Sequence, residues 1–542
     1  MLKSESGKTG RSTRGVLALT VSNLLVKAAG LLFKIPMNYA VGDAGMGYYN
    51  AAYSVYALLY TLTTAGIPVA LSVMIAEQRA RNSPIGAEQT YRRALLLMLS
   101  AGGAGCALMW AGASPLASLI RSPGSAPAIR AAAPALLFIC LSGAARGWFQ
   151  GCGNMTPTAV SQLAEAFGKL VCGIGGALYA VRRGLPTPVT AAYAAAGLSA
   201  GSFLGMAYLL TARRLGSGRM TPGGLSGPAV LSDGRIPLGQ TFRDLGQIAL
   251  PVTLSASVMS LSSAMDTLSV QRILRAMGAT AEEAAARFGN YTSLAVPMFN
   301  LPPALVYPFA YALVPAAASA LASGRRDEAA ERIRDAMGTA AFIGIPCACG
   351  LAALADPILC LLFRETSAHA AAPLLTVLAP ASFLVCLTAV TNAGLQASGG
   401  QRLTVASMAA GAAVKWASGE LLLVRFGILG APLSTLAGYL AVTGLNLAFL
   451  RRRTGASLPA DRLRRYLLGG VACAWAAVRI DRLLIPVLGP RTAVLCGIFA
   501  AVPVYGLVLL AAGEFIGKDL SLLRIPVKRT RGIGMKRKGI GS

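Results

Sequence analysis

The sequence predicts an all-α polytopic membrane protein with about fourteen transmembrane helices. Of its 542 residues, 55% are hydrophobic and only 13% are charged, which is far from the composition of soluble domains. Apolar runs of roughly 20 residues, the length needed to cross a bilayer, recur along the whole chain. Most Lys and Arg residues lie in the short segments between these runs.

Each candidate helix is an apolar run bounded by charged residues, Gly or Pro. The fourteen runs are 16–40, 48–76, 94–112, 129–150, 157–181, 190–211, 245–273, 291–322, 337–355, 371–395, 403–424, 429–450, 466–485 and 492–513. The first run is too long for the apolar part of a cleaved signal peptide, so we expect it to remain in the mature protein.

The positive charges predict the topology. Lys and Arg are concentrated in the segments that share a side with the N-terminus, so both termini are expected to be cytoplasmic. Because the +28 net charge lies in short loops, nucleic acid is not an expected partner. The basic tail, residues 518–542, is expected to contact anionic phospholipids.

An internal repeat divides the chain. Gly47-Tyr48-Tyr49-Asn50 resembles Gly289-Asn290-Tyr291-Thr292 at an offset of 242 residues, and Gln150 and Lys169 match Gln396 and Lys415 at an offset of 246. The predicted parts are an N-terminal lobe (1–215), a cytoplasmic linker (216–241), a C-terminal lobe (242–455) and two further helices with the basic tail (456–542). Pseudo-symmetric lobes of this kind enclose a cavity.

The first helix carries a polar stripe. Lys27 and Lys34 are seven residues apart and therefore share one helical face, which Asn23 and Asn38 extend. An ammonium at bilayer depth costs at least ~2.5 kcal/mol, so this face needs water or carboxylate partners. The stripe is either a cationic patch that binds an anionic substrate or a set of internal salt bridges.

Further charged residues lie inside the predicted spans, and the membrane-embedded charge is net positive. Among them are Arg146, Glu165, Lys169, Asp266, Lys415 and Glu420. Glu165 and Lys169 are four residues apart, so they either neutralise each other or bind substrate.

Two charged residues near the predicted outer end of the seventh helix suggest a gate. The repeat alignment places Asp266 opposite Lys34, so we expect a Lys34–Asp266 bridge that closes the outer face. Arg272 is either a cation of this gate or an arginine that reaches the membrane interface.

Prolines predict broken helices. Pro68 follows Gly66 in the second run, and Pro302 and Pro303 interrupt the eighth. Since proline removes a backbone hydrogen bond and bends a helix, we expect hinges there that serve alternating access, or else static bends that serve packing.

No motif indicates a catalytic centre, a metal or a cofactor. The ten cysteines are scattered and lack CxxC spacing, and His369, the only histidine, has no Cys, Asp or Glu at ligand spacing. No cofactor is expected, and coupling of transport to an ion or to the membrane potential stays an open alternative.

Several motifs resemble one family. The segments 30–36, 42–49 and 64–72, together with Arg146-Gly147-Trp148-Phe149-Gln150-Gly151 and Asn154-Met155-Thr156-Pro157-Thr158, are similar to the SpoVB-like branch of the bacterial polysaccharide and lipid II flippases. That branch belongs with the MurJ-type flippases to the MOP superfamily, which also contains the MATE exporters. The resemblance covers the first twelve helices and is weakest in the last two and the tail.

The resemblance implies a flippase of the bacterial cytoplasmic membrane. Its cargo would be an undecaprenyl-pyrophosphate-linked saccharide such as a lipid II-like peptidoglycan precursor. The resemblance also implies a role in spore cortex synthesis, with cell-wall synthesis proteins as partners. In MurJ-type members, cations on the first helix meet the pyrophosphate. Lys27 and Lys34 take that place here, with Lys169 and Lys415 as further candidates.

Three alternatives remain at this point. A MATE-like cation or drug antiporter would need cavity carboxylates, which the cations outnumber here. An O-antigen or exopolysaccharide repeat-unit flippase would differ only in its saccharide. A membrane glycosyltransferase would need an acidic or histidine cluster in an outer loop, so we expect no enzyme.

Overall fold

The protein is helical throughout the part of the chain that the structure describes. The computed structural model describes residues 3–64, 66–81, 83–216 and 238–512, with no strand among them. For residues 3–28 and several further positions, most of them between 238 and 263, only the backbone is described. Helices coincide with all fourteen predicted apolar runs.

The first half contains seven α-helices and one 3-10 turn. These are α1 Lys3–Thr64, α2 Ile67–Ala80, α3 Pro84–Ala111, α4 Ala113–Leu119, the turn Pro123–Ser125, α5 Ala126–Gly151, α6 Thr156–Arg182 and α7 Thr187–Arg214.

The second half and the C-terminal pair contain eleven α-helices and two irregular turns. These are α8 Leu238–Ala276, α9 Ala281–Gly289, the π-helix Asn290–Ala295, α10 Val296–Phe299, α11 Leu301–Ala322, α12 Arg326–Ala353, α13 Ala355–Leu362, α14 Glu365–Ala397, α15 Gln401–Phe426, the 3-10 turn Gly427–Leu429, α16 Gly430–Thr454, α17 Ala460–Leu488 and α18 Pro490–Ala511.

The helices confirm a polytopic membrane architecture. Within the described residues, ten stretches are long and apolar enough to cross a bilayer. One of them, Gln401–Thr454, includes both α15 and α16, whereas α8 and α17 are not among the ten. The count of fourteen crossings therefore stays a prediction.

The chain reverses within α1 at Gly42. This glycine has a φ of 73° and a ψ of 178°, a conformation that side chains with a β-carbon rarely adopt. The rings of Phe33 and Tyr49, on either side of it, lie 5.6 Å apart. In a straight helix these residues would be roughly 24 Å apart, so α1 is a helical hairpin.

One apolar core joins the two halves. It includes Met37 and Met46 of the hairpin, Leu136 of α5, Phe288 of α9 and Leu375 of α14, all almost fully buried. Between helices in a membrane, close van der Waals packing of such side chains is a main source of association. The hairpin therefore lies between the two halves.

Helix packing is alike in the two halves. In the first half α3 packs on α5, and α7 packs on both α5 and α6; in the second, α12 packs on α14, and α16 packs on both α14 and α15. This correspondence supports the predicted repeat. The two-lobe division stays a prediction, because residues 217–237 of the predicted linker are not among those described.

The predicted proline breaks coincide with helix ends. Pro68 is the second residue of α2, immediately after the interruption that separates α2 from α1. Pro302 and Pro303 are buried in the first turn of α11, after the π-helix and the short α10. These breaks are confirmed as local structure, and their function as hinges stays a prediction.

The halves touch at both ends of the second arm of the hairpin, residues 43–64. A β-carbon on Gly47 would collide with the carbonyl oxygen of Ala285, and one on Gly66 would collide with that of Ala249. The Gly66 amide also donates a 3.1 Å hydrogen bond to the Thr253 hydroxyl. The two halves are therefore in contact at both ends of this arm.

We expect Gly47→Ala to destabilise the protein by about 1–3 kcal/mol, the usual cost of overpacking. The contact is backbone against backbone, so no side chain can turn away from the new methyl group. Gly103→Ala is the matched control, because its new methyl group would have no other atom within 4 Å and alanine favours the helix. Thermal unfolding in detergent measures both. Equal melting temperatures for the two variants would contradict the close contact.

Candidate functional site

A cavity of about 460 Å³ lies where the hairpin meets the second half. The second arm of the hairpin, α8, α15 and α16 contribute its walls, and the π-helix lies on one side. Its polar lining residues are Lys34, Asn50, Tyr53, Ser54, Asp266, Thr267, Tyr291, Thr292, Asn300, Lys415, Thr435 and Tyr439.

Lys34 extends from the first arm of the hairpin into this cavity. Its ammonium donates a 2.7 Å hydrogen bond to the carbonyl oxygen of Thr292 in the π-helix. Among the described residues it forms no ion pair, so its charge is available to a ligand. A π-helix shifts carbonyls out of the regular α-helical pattern, which leaves the Thr292 oxygen open to this contact.

Lys415 and Asp266 form an ion pair across the same cavity, between α15 and α8. The sequence-based expectation of a Lys34–Asp266 bridge is therefore wrong for this conformation. The reason is packing: α15 lies directly against α8, whereas Lys34 lies beside the π-helix. Lys415 faces the cavity as expected, but an acid already compensates its charge.

Glu165 pairs with Arg146, not with Lys169. An Arg146 guanidinium nitrogen lies 2.8 Å from the Glu165 carboxylate, and Arg146 Nε donates to the Ser161 hydroxyl at 3.0 Å. Of the two alternatives for Glu165 and Lys169, mutual neutralisation does not occur, because the guanidinium from α5 reaches the carboxylate with favourable charge-assisted geometry. Both candidate charge partners are thus held in the first half.

Lys169 lies over aromatic rings. Its ammonium is 5.0 Å from the centre of the Phe33 ring and 5.1 Å from that of Tyr53, both residues of the hairpin. Such cation–π contacts stabilise a charge by about 0.5–2 kcal/mol. Because Tyr53 also lines the cavity, Lys169 adds positive charge next to it.

The cavity surroundings are therefore net positive, as the sequence predicted. Lys34, Lys169 and Lys415 lie in or beside the cavity, and Asp266 is the only acid that lines it within the described residues. With Asp266 engaged by Lys415, two cations remain without an acidic partner in that part of the chain.

Other predicted site residues lie elsewhere. The side chains of Asn23 and Lys27 fall outside the described residues. Asn38 is buried and donates to the Asp43 carboxylate at 3.0 Å, near the Gly42 reversal. Arg272 and Glu420 are exposed and do not line the cavity as described, so their suggested gating function stays a prediction.

The aromatic lining was missed at the sequence level. Tyr49, Tyr53, Tyr56 and Tyr60 recur every three or four residues and stack along one face of the hairpin. That spacing is a helix-face signal that could have located the wall next to Lys169. Tyr291 could not have been located in this way. Its hydroxyl is hydrogen-bonded to Thr435, which is 144 residues away in the sequence and is brought close only by the fold.

A family model described as polysaccharide biosynthesis protein matches residues 12–321, more than half of the chain. The chain belongs to this polysaccharide biosynthesis protein family. Its similarity to curated relatives extends over nearly its full length. The uncharacterized membrane protein YabM of Bacillus subtilis (strain 168) is 27% identical over 526 residues, with 94% of each chain covered.

Two further relatives in the same organism carry functional names. Stage V sporulation protein B is 26% identical over 534 residues, covering 95% of this chain and 97% of that protein. Lipid II flippase MurJ is 25% identical over 462 residues, covering 82% of this chain and 83% of that protein. The resemblance noted in the sequence is thereby confirmed.

Solved structures share the fold. Lipid II flippase MurJ in an inward closed conformation aligns with a TM-score of 0.68 at 13% identity, over 94% of this chain and all of that one. An inward-facing multidrug resistance MATE-family transporter of the MOP superfamily aligns with a TM-score of 0.61 at 16% identity. The alignment covers 80% of this chain and 98% of that one. The protein thus has the fold of MOP-superfamily transporters.

Proposed function

We propose that this protein moves a lipid-linked saccharide with a pyrophosphate group from the inner to the outer leaflet of the bacterial cytoplasmic membrane. The observation that carries the proposal is Lys34: a cation without an acidic partner among the described residues, directed into a cavity between the two halves. The name of one relative, lipid II flippase MurJ, supports the same cargo class.

The charge balance favours an anionic cargo over a cationic one. A pyrophosphate entering the cavity meets Lys34 and is attracted by Lys169 beside it. A cationic drug would need a free carboxylate, and Asp266 is held by Lys415. Removing an ion from water is costly unless an opposite charge compensates it, so the cavity selects for anions.

The cavity size fits the headgroup and not the whole lipid. A volume of about 460 Å³ lies within the usual range for small-molecule sites, about 300–1,000 Å³. The diphosphate and part of the saccharide would occupy it, while the prenyl chain remains among lipids. The saccharide could be that of lipid II, as in spore cortex synthesis, or an exopolysaccharide repeat unit.

Alternating access would separate the halves at one end at a time. In the described conformation both ends of the hairpin's second arm contact the second half, and these contacts would have to open in turn. Pro68 and the Pro302–Pro303 pair lie at helix breaks where bending costs little. Both termini would stay on the cytoplasmic side.

Genetic complementation tests the function. We expect the wild-type gene to restore growth of a bacterial strain depleted of its own lipid II flippase. If the gene instead restores only O-antigen export, in a strain that lacks its O-antigen flippase, the cargo is an O-antigen or exopolysaccharide repeat unit. The proposal is contradicted if the protein reaches the membrane, rescues neither strain and exports a cationic dye. That result would favour the antiporter.

A further inference from the structure

A second cavity, of about 640 Å³, lies away from the first and shares no lining residue with it. Its walls come from α13, α14, α17 and α18, with Tyr39 of the hairpin at one side. The Arg364 guanidinium donates to the Tyr39 carbonyl oxygen, which places this cavity at the Gly42 end of the molecule. The proposed transport function makes no use of it.

Three potential metal ligands of different chemistry meet in this cavity. Asp356 and Cys360 are four residues apart on α13 and so share a helical face, and His369 lies in the second turn of α14. His369 Nδ1 is 2.6 Å from Asp356 Oδ1, and Cys360 Sγ is 4.0 Å from that oxygen. All three ligand atoms lie within 4.8 Å of one another.

The connection between α13 and α14 brings these residues together. Phe363 and Arg364 have extended backbone conformations that return the chain to α13. His369 therefore meets residues nine and thirteen positions earlier, a separation that no common metal motif has. The sequence-based expectation that His369 has no ligand neighbours is wrong for this reason.

The distances suit a small transition-metal ion. Ligand bonds of about 2.0–2.3 Å around tetrahedral zinc separate neighbouring donor atoms by about 3.3–3.8 Å. The 2.6 Å His369–Asp356 contact is a hydrogen bond that the ion would replace, and small rotations of Cys360 would close the remaining gap. Imidazole, thiolate and carboxylate together are a borderline-soft donor set that favours zinc over magnesium or calcium.

A buried carboxylate on a third helix independently indicates a cation. Asp481 of α17 is only 4% exposed and lines the same cavity. Its Oδ1 atom has no hydrogen-bond partner among the described residues. A buried carboxylate without a partner is costly, and a bound cation would compensate it.

We propose that Asp356, Cys360 and His369 bind a divalent transition-metal ion of the zinc class, and that the buried Asp481 carboxylate of α17, which lines the same cavity, adds negative charge that favours the ion. The ion would link α13 to α14 at the Gly42 end of the molecule.

Zinc titration of the purified full-length protein in detergent, in competition with a chromogenic chelator, tests the site. We expect one ion per chain, with affinity at least about tenfold weaker in Cys360→Ser and in His369→Ala, since even outer-shell changes cost about 10–100-fold. Asp481→Asn should weaken binding as well. The matched controls are Cys496→Ser, a thiol on neighbouring α18, and Glu365→Gln, a carboxylate of the same cavity outside the cluster.

Cobalt provides a second measurement that does not depend on affinity. Co²⁺ bound by a thiolate produces a near-ultraviolet charge-transfer band, which we expect in the wild type and in Cys496→Ser and not in Cys360→Ser. Circular dichroism and gel filtration verify that each variant is folded. A wild type that retains no zinc, or a Cys360→Ser/His369→Ala double variant that binds as tightly as the wild type, would overturn the proposal.

Discussion

Lys34→Glu weakens the binding of undecaprenyl pyrophosphate by about 100-fold or more, whereas Lys34→Arg binds within a few-fold of the wild type. Lys34 faces the cavity, and its hydrogen bond to the Thr292 carbonyl holds the ammonium there without neutralising it. At an effective dielectric constant of about 20, two unit charges about 4 Å apart interact by about 4 kcal/mol. Reversing the charge converts this attraction into repulsion.

Isothermal titration with the purified variants measures this effect. Arg214→Glu is the matched control, because Arg214 is an exposed cation at the end of α7 and distant from the cavity lining. It should bind as the wild type does. If Lys34→Glu and Arg214→Glu bind the pyrophosphate equally well, Lys34 is not the residue that receives the cargo.

Asp266→Asn destabilises the protein by about 3 kcal/mol, because it leaves the Lys415 ammonium without its carboxylate. Both side chains are less than one-third exposed, at 27% for Asp266 and 18% for Lys415. The double variant Asp266→Leu/Lys415→Met should recover most of the lost stability, since apolar side chains of similar size satisfy the same space. Chemical denaturation in detergent measures the free energy of unfolding for each variant.

The same variants separate a structural pair from a transport pair. If the pyrophosphate replaces Asp266 as the partner of Lys415 during transport, the double variant is stable and transports poorly. The control is Arg325→Ala, which breaks an exposed pair with Glu328 and should cost less than about 1 kcal/mol. If the stable double variant transports as well as the wild type, the Asp266–Lys415 pair serves stability and has no function in transport.

The residue pattern was sufficient to predict the helices and their breaks. Apolar runs determine where a chain can cross a membrane, and proline is best tolerated in the first turn of a helix, where Pro68 and Pro302 lie, whereas Pro308 and Pro315 are accommodated inside α11. Lys34 was identified for a similar reason. A charge in an apolar run requires a polar environment wherever the run is placed.

The charge partners could not be predicted in the same way. Spacing of four residues made Lys169 the expected partner of Glu165, but Arg146 of another helix reaches the carboxylate instead. Asp266 likewise pairs with Lys415, although the repeat alignment favoured Lys34. Pairing across helices depends on their rotation and separation, which local spacing does not encode.

Reconstitution of the purified protein in liposomes tests most directly whether the cavity passes a lipid-linked pyrophosphate through the membrane. The liposomes carry fluorescent lipid II in both leaflets, with a membrane-impermeant quencher outside. We predict that wild-type protein exposes the inner-leaflet lipid II to the quencher and that Lys34→Glu protein does not. Inner-leaflet lipid II that stays protected with wild-type protein, in liposomes where that protein exchanges a cationic dye, would contradict the account.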